Sequence, residues 1–234
     1  MKLYSKLSAL GAVAVMTTAF ASADSIQIGS YGTGQSNQGN SNTSVVYGAS
    51  GGTVNISPGT VWNGELTGVS SWVSYGQTGP TTPEGSQPGG HYAPNGVYTF
   101  STSFDLTGAA TAFSLSVLAD DTVEVLLDGN TADPLFTYAA GGNSTCQNNE
   151  PNCTVVDTIT NLTDPSVLAL LGSGEHSLTF LVKQTNSIDM GLDFAGNITE
   201  DPSAPTPEPN TLLLLGTGLM GSAGALFRRM RSAA

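Results

Sequence analysis

The side chains with the most chemical potential in this chain are acids. Asp120 and Asp121 are adjacent, and Glu124 and Asp128 follow within one short segment. Neighbouring carboxylates repel one another strongly unless water or a cation screens them. A calcium ion, which takes about six to eight oxygens including loop carbonyls, would suit Asp120, Asp121 and Asp128. The competing reading is a strand-opening turn in which the aspartates hydrogen-bond their own backbone. Glycoside cleavage needs two carboxylates across a bond, and many spatial pairings are open to so acidic a chain. Other catalytic signatures are missing from the sequence. His91 and His176 lack metal-ligand spacing, and there is no nucleophile elbow, phosphate loop or dinucleotide fingerprint. The expectation is therefore a protein that is not an enzyme and has no resident cofactor, calcium being the one candidate ion.

Trp62 and Trp72, with Tyr75 and Tyr92, lie in polar, Gly-rich surroundings. Large amphipathic rings in such loops suit a glycan-stacking platform. They equally suit a core short of other large side chains.

The elements that position these residues follow a period of two. Tyr98, Phe100, Phe104 and Leu106 share one parity, and Phe113, Leu115, Val117 and Ala119 share another. Val123, Val125 and Leu127 alternate up to Asp128-Gly129, a hairpin-turn dipeptide. Leu178, Phe180 and Val182 make one face of a later strand, and Leu192 with Phe194 one face of the last. Only the stretch 165–171 reads as a helical turn. Short alternating strands between Gly, Pro, Asp and Asn turns predict an all-β fold, an antiparallel β-sandwich over residues 97–198. Residues 24–96 are Gly/Ser/Asn-rich and fit either loop-rich strands or partial disorder, the two tryptophans favouring strands, with short apolar pieces near 45–47, 54–56 and 72–75.

The two ends have their own character. Lys2 and Lys6 precede an apolar run over 7–20 and the triplet Ala21-Ser22-Ala23, the layout of a secretory signal peptide over 1–23. Cleavage after Ala23, with Ala21 and Ala23 as the small recognition residues, starts the mature chain at Asp24, and export implies the Sec translocon. A Pro-rich linker over 199–211 leads to an apolar run over 212–227 and a basic tail over 228–234. Sixteen helical residues reach roughly 24 Å, short of a hydrocarbon core of about 30 Å, so a transmembrane helix there is a marginal anchor. Its trailing arginines would stay cytoplasmic.

Five of the six bases lie in these end segments, so between Asp24 and Pro207 only Lys183 faces seventeen acids. A body at about −16 repels a phosphate backbone and disfavours anionic lipid, which excludes nucleic acid as a partner. Divalent cations, and neutral polymers bound through them, remain open to it. Given export, Cys146 and Cys153 are expected to form a disulfide closing a short polar loop, worth about 2 kcal/mol. They have no CxxC spacing and no adjacent His to suggest a metal.

Pro207-Glu208-Pro209, the leucine block 212–215 with Gly216, Gly218, Gly221 and Gly224, and Arg228-Arg229 resemble the PEP-CTERM sorting signal. The resemblance covers about the last thirty residues. It implies a Gram-negative bacterium whose inner-membrane exosortase recognises the tripeptide and removes the helix and basic tail. It further implies a cell-surface or matrix protein associated with exopolysaccharide or biofilm. The order of pieces over 97–198 resembles the galactose-binding-like jelly roll, on Ala119-Asp120-Asp121, Leu127-Asp128-Gly129 and Gly174-Glu175-His176-Ser177-Leu178. The paired aspartates also look like those of protective-antigen-type lectin domains, which implies calcium-assisted sugar binding. The expected function is structural or adhesive. A carbohydrate-binding module is the alternative, and a polysaccharide hydrolase a more distant one.

Overall fold

The computed structural model describes residues 23–33, 44–47, 49–66, 70–80, 93–137, 152–185, 188–201, 216–218, 220–223, 228, 229 and 231. Within Ala23–Ser203, one of two compact units, the strands in chain order begin with β1 (Asp24–Gly29), β2 (Ser44–Tyr47), β3 (Ala49–Gly52), β4 (Val54–Asn55) and β5 (Val73–Ser74). They continue with β6 (Gly96–Leu106), β7 (Ala110–Asp120), β8 (Thr122–Leu127) and β9 (Asp157–Thr160). The helical turn α1 (Ser166–Leu170) precedes β10 (Gly174–Gln184) and β11 (Gly191–Glu200).

Two antiparallel sheets result. In the first, the order is β4-β5-β11-β7-β9, with β1 also on β11; in the second it is β3-β2-β6-β10-β8. Alternation explains why they stack. Along β6, Tyr98, Phe100, Thr102, Phe104 and Leu106 are buried while the residues between them are not. Strand β10 repeats the pattern with Leu178, Phe180 and Val182. One apolar cluster draws side chains from both sheets, and Phe180 of β10 stacks on Phe194 of β11 with ring centroids 4.3 Å apart. Each such buried ring contributes about 1.5–3 kcal/mol.

The expected turns are present. Asp128 and Gly129 both have positive φ, 51° and 69°, and Asn130 N donates to Leu127 O at 3.0 Å, the geometry of a type I′ turn. Helix α1 buries Val167 on the core. Glu200 clamps the β6–β7 turn: its carboxylate accepts from Thr107 N, Thr107 Oγ1 and Gly108 N at 2.6, 2.9 and 3.0 Å. Burial alone would raise its pKa, but these donors outweigh that and lower it.

The sandwich begins earlier than residue 97. Strand β1 pairs with β11 over six positions, from Asp24↔Glu200 to Gly29↔Ala195, and Ile28 is fully buried in the main core. The short apolar pieces of the Gly-rich stretch become β2, β4 and β5.

At the C-terminal end, positions 216–218, 220–223, 228, 229 and 231 are helical. Among the described residues no helix is long and apolar enough to cross a membrane. Residues 1–22, which hold Ala21 and nearly all of the leader expected over 1–23, and the tripeptide Pro207-Glu208-Pro209 lie outside the described residues, whereas Ala23 is exposed.

Candidate functional site

Asp120 closes β7 and Asp121 precedes β8, so the reversal between these strands places both carboxyls at one end of the sandwich. The peptide between them is cis, and both residues are buried, at 4% and 2% exposure. Asp121 Oδ2 accepts from Thr185 N at 2.7 Å and from Thr185 Oγ1 at 2.6 Å. Burial holds the Asp120 carboxyl well above the usual carboxylate range, helped by a hydrogen bond to Asp121 and by the charges of Asp121 and Asp189. The indole N–H of Trp62 faces Asp120 and pulls in the opposite direction, although it makes no hydrogen bond of normal geometry. A proton on Asp120 would relieve the same crowding for which the sequence suggested a cation.

Asp128 does not join this pair. It lies past the far end of β8, roughly 20 Å away at about 3.3 Å per residue. Its oxygens are engaged there: Oδ1 accepts from Ser177 N at 2.7 Å, and Oδ2 lies 2.8 Å from His176 Nδ1. The other ring nitrogen of His176 lies 2.8 Å from Gly172 O, and the ring stacks on Phe104. The expected grouping of Asp120, Asp121 and Asp128 is thus two separate structures at opposite ends of one strand. Among the described residues no three His, Cys, Asp or Glu side chains are arranged to hold a metal ion.

Trp62 and Trp72 are core residues, which corrects the glycan-stacking reading. They are 4% and 0% exposed, with ring centroids 4.4 Å apart, in a second cluster with Ile56, Leu118 and Cys153. This cluster forms because residues 56–66 and 70–72 fold over the outer face of the first sheet. Trp72 Nε1 donates to Asn63 O at 3.0 Å, and Asn63 N donates to Cys153 O at 2.8 Å. Gly191 is needed underneath: a Cβ there would meet Ile56 Cδ1 at 2.8 Å and Trp62 Cζ3 at 2.9 Å. Cys153 is fully buried and is not a free thiol, while its expected partner Cys146 lies outside the described residues. His91 and Tyr92 lie outside them too. Tyr75 stacks on Tyr98 with ring centroids 5.4 Å apart.

The covering loop also encloses an acid that the sequence reading missed. Asp193, opposite Leu118 in the β11–β7 ladder, is fully buried beneath it. Its Oδ1 accepts from Ser30 Oγ at 3.0 Å and its Oδ2 from Leu66 N at 2.9 Å. Burial raises its pKa from 3.8 to about 6, against the lowering effect of these donors and of Ser70. Nothing local marked it, because a polar residue between Leu192 and Phe194 fits a solvent-facing strand position.

The body is thus an antiparallel β-sandwich in which the buried acids Asp121, Asp193 and Glu200 accept hydrogen bonds from distant parts of the chain. Comparison with known proteins adds the address: the PEP-CTERM protein-sorting motif matches residues 205–231. The chain carries an exosortase-directed signal for export and sorting to the bacterial cell envelope. Arg228 and Arg229, within that match, are helical and exposed. No curated protein and no solved structure matches the chain.

Proposed function

We propose that this is a non-catalytic cell-surface or matrix protein of a Gram-negative bacterium, with a structural or adhesive role in exopolysaccharide. The Sec translocon would carry it across the inner membrane behind the cleaved leader. The helix over 212–227 would hold it in that membrane until an exosortase cuts near Pro207. The sorting motif over 205–231 carries this reading. The occupied acids support a non-catalytic body: Asp121 serves Thr185, Asp128 serves His176 and Ser177, Asp193 serves Ser30 and Leu66, and Glu200 serves a turn.

Mass spectrometry of the protein recovered from envelope and matrix fractions tests the route. The expected mature chain starts at Asp24 and ends near Pro207, and an exosortase deletion leaves the tail attached. A tail retained in the parent strain would replace processing by simple anchoring. Full-length protein in the cytosol, leader included, would refute export.

A Cys146–Cys153 bridge belongs to the same reading, since an oxidising compartment favours it and Cys153 anchors the loop that covers the second core. A carbohydrate-binding role is the second reading, favoured by an uncharged sheet face on an otherwise acidic body.

A further inference from the structure

Among the described residues, the outer face of the first sheet is only partly covered. Residues 56–66 pack on the β5 end, over Leu118 and Asp193. Beyond Leu66 the sheet opens into a shallow groove of about 260 Å³, with Gln27, Ser114, Ser116 and Asn197 among its lining. Cross-strand register explains the assembly. Gln27 of β1 pairs with Asn197 of β11, which pairs with Ser114 of β7, which pairs with Thr160 of β9. Directly paired residues point to the same face, so the four form one polar row across four strands. Two residues along, Ala195, Ser116 and Thr158 form a second row.

Two properties of this face restrict what it can bind. First, its open part is uncharged. Among the described residues, the acids of β7 and β11 that share this parity, Asp120 and Asp193, are both buried. On a body with one base and seventeen acids, an uncharged face is a departure from the general surface. Second, its hydrogen-bonding groups are not all used internally. Asn197 Oδ1 accepts from Ser25 Oγ at 2.7 Å, which leaves the amide NH₂ as a donor facing outward. Gln27 is exposed and Ser114 half-buried, and each adds a donor and an acceptor. Ser116 is paired with Thr158 at 2.8 Å, which fixes the second row.

We propose that this groove binds an extended neutral polysaccharide, its hydroxyls meeting the amides of Gln27 and Asn197 and the hydroxyl of Ser114. The strands are about 4.8 Å apart, close to the length of one pyranose residue in an extended chain, so successive sugars would meet successive strands. Anionic polymers are disfavoured by the field of the body, and no cation is needed. This proposal rests on the exopolysaccharide reading above and gives it a surface and a ligand class.

Affinity electrophoresis of the full chain in detergent, through gels containing dextran, galactomannan, hydroxyethyl cellulose or alginate, tests it. The expected result is retardation by at least one neutral polymer and none by alginate. The double variant Gln27→Ala/Asn197→Ala is expected to bind at least about tenfold more weakly with an unchanged melting temperature. No retardation by any neutral polymer overturns the proposal, as does retardation by alginate alone or undiminished binding by the double variant. Should the double variant lose stability, the side-chain amide NMR signals of Gln27 and Asn197 decide in the unaltered chain. They must shift on adding the bound polymer, and unmoved signals overturn the site. Matrix localisation with no polymer binding would refute this groove while leaving the sorting and matrix role intact.

Discussion

Nδ1 of His176 lies 2.8 Å from Oδ2 of Asp128, and the opposite ring nitrogen lies 2.8 Å from a backbone carbonyl, that of Gly172. Both partners are acceptors, so only the imidazolium satisfies both contacts. Burial pulls the His176 pKa down, but the bond to Asp128, the bond to Gly172 and the Asp128 charge outweigh it and raise the pKa above 6.5. The resulting stability is complete below about pH 6.5 and is lost as pH rises through the folded value. NMR titration of the ring is expected to give a midpoint above 6.5. In Asp128→Asn it should fall, because an amide NH₂ facing Nδ1 favours the neutral ring. A midpoint at or below 6.5 in the parent would contradict the geometry.

Asp193 shifts in the same direction for a different reason. Its carboxylate is buried under the segment ending at Leu66, without a cationic partner among the described residues, and burial raises its pKa to about 6. Stability is therefore fully present below about pH 3.8 and declines as pH rises through 6, by on the order of 3 kcal/mol. In Asp193→Asn the Oδ1 can still accept from Leu66 N, and the NH₂ can donate to Ser30 Oγ, whose proton then goes to Ser71 O. Chemical denaturation between about pH 4 and 7 should show a decline in the parent that this variant largely removes. Equal slopes in the two proteins would count against a strained Asp193.

The second core gives a prediction about packing. Trp72→Ala is expected to cost about 3–5 kcal/mol, the usual range for a buried aromatic. Gly191→Ala should also destabilise, since its new methyl would sit within 2.9 Å of the Trp62 ring. Thermal unfolding checks both. A Trp72→Ala protein with unchanged stability would return the tryptophans to a surface role.

What the sequence disclosed followed local periodicity. The alternation at 98–106 and 113–119, the Asp128-Gly129 turn and the helical turn before Leu171 all recur as drawn, because each is decided by neighbours in the chain. Strand β1 was harder to see. Ile26 and Ile28 are its only large apolar residues, and its strand character comes from β11 some 170 positions away. The site residues divide the same way. Asp120 and Asp121 were singled out by adjacency, but the distance to Asp128 needed the length of β8, and the burial of Asp193 needed a loop from another part of the chain. The polar rows of the open face, too, exist only once four strands are in register.

The Asp120–Asp121 pair separates two ways of tolerating crowded acids. With Asp121 held by Thr185, the proton-bearing form of Asp120 is the neutral partner, and an amide is its closest mimic in size and polarity. Asp120→Asn should accordingly be at least as stable as the parent near pH 7, where keeping the proton on the parent carboxyl works against the bulk. The raised pKa means that parent stability falls as pH rises from about 3.8, and this part of the fall should be absent in the variant. Calcium at millimolar concentration is expected to leave both melting temperatures unchanged. If calcium instead raised the parent's melting temperature by several degrees and the asparagine variant lost that response, a cation rather than a proton would be the neutralising species at this end of the sandwich.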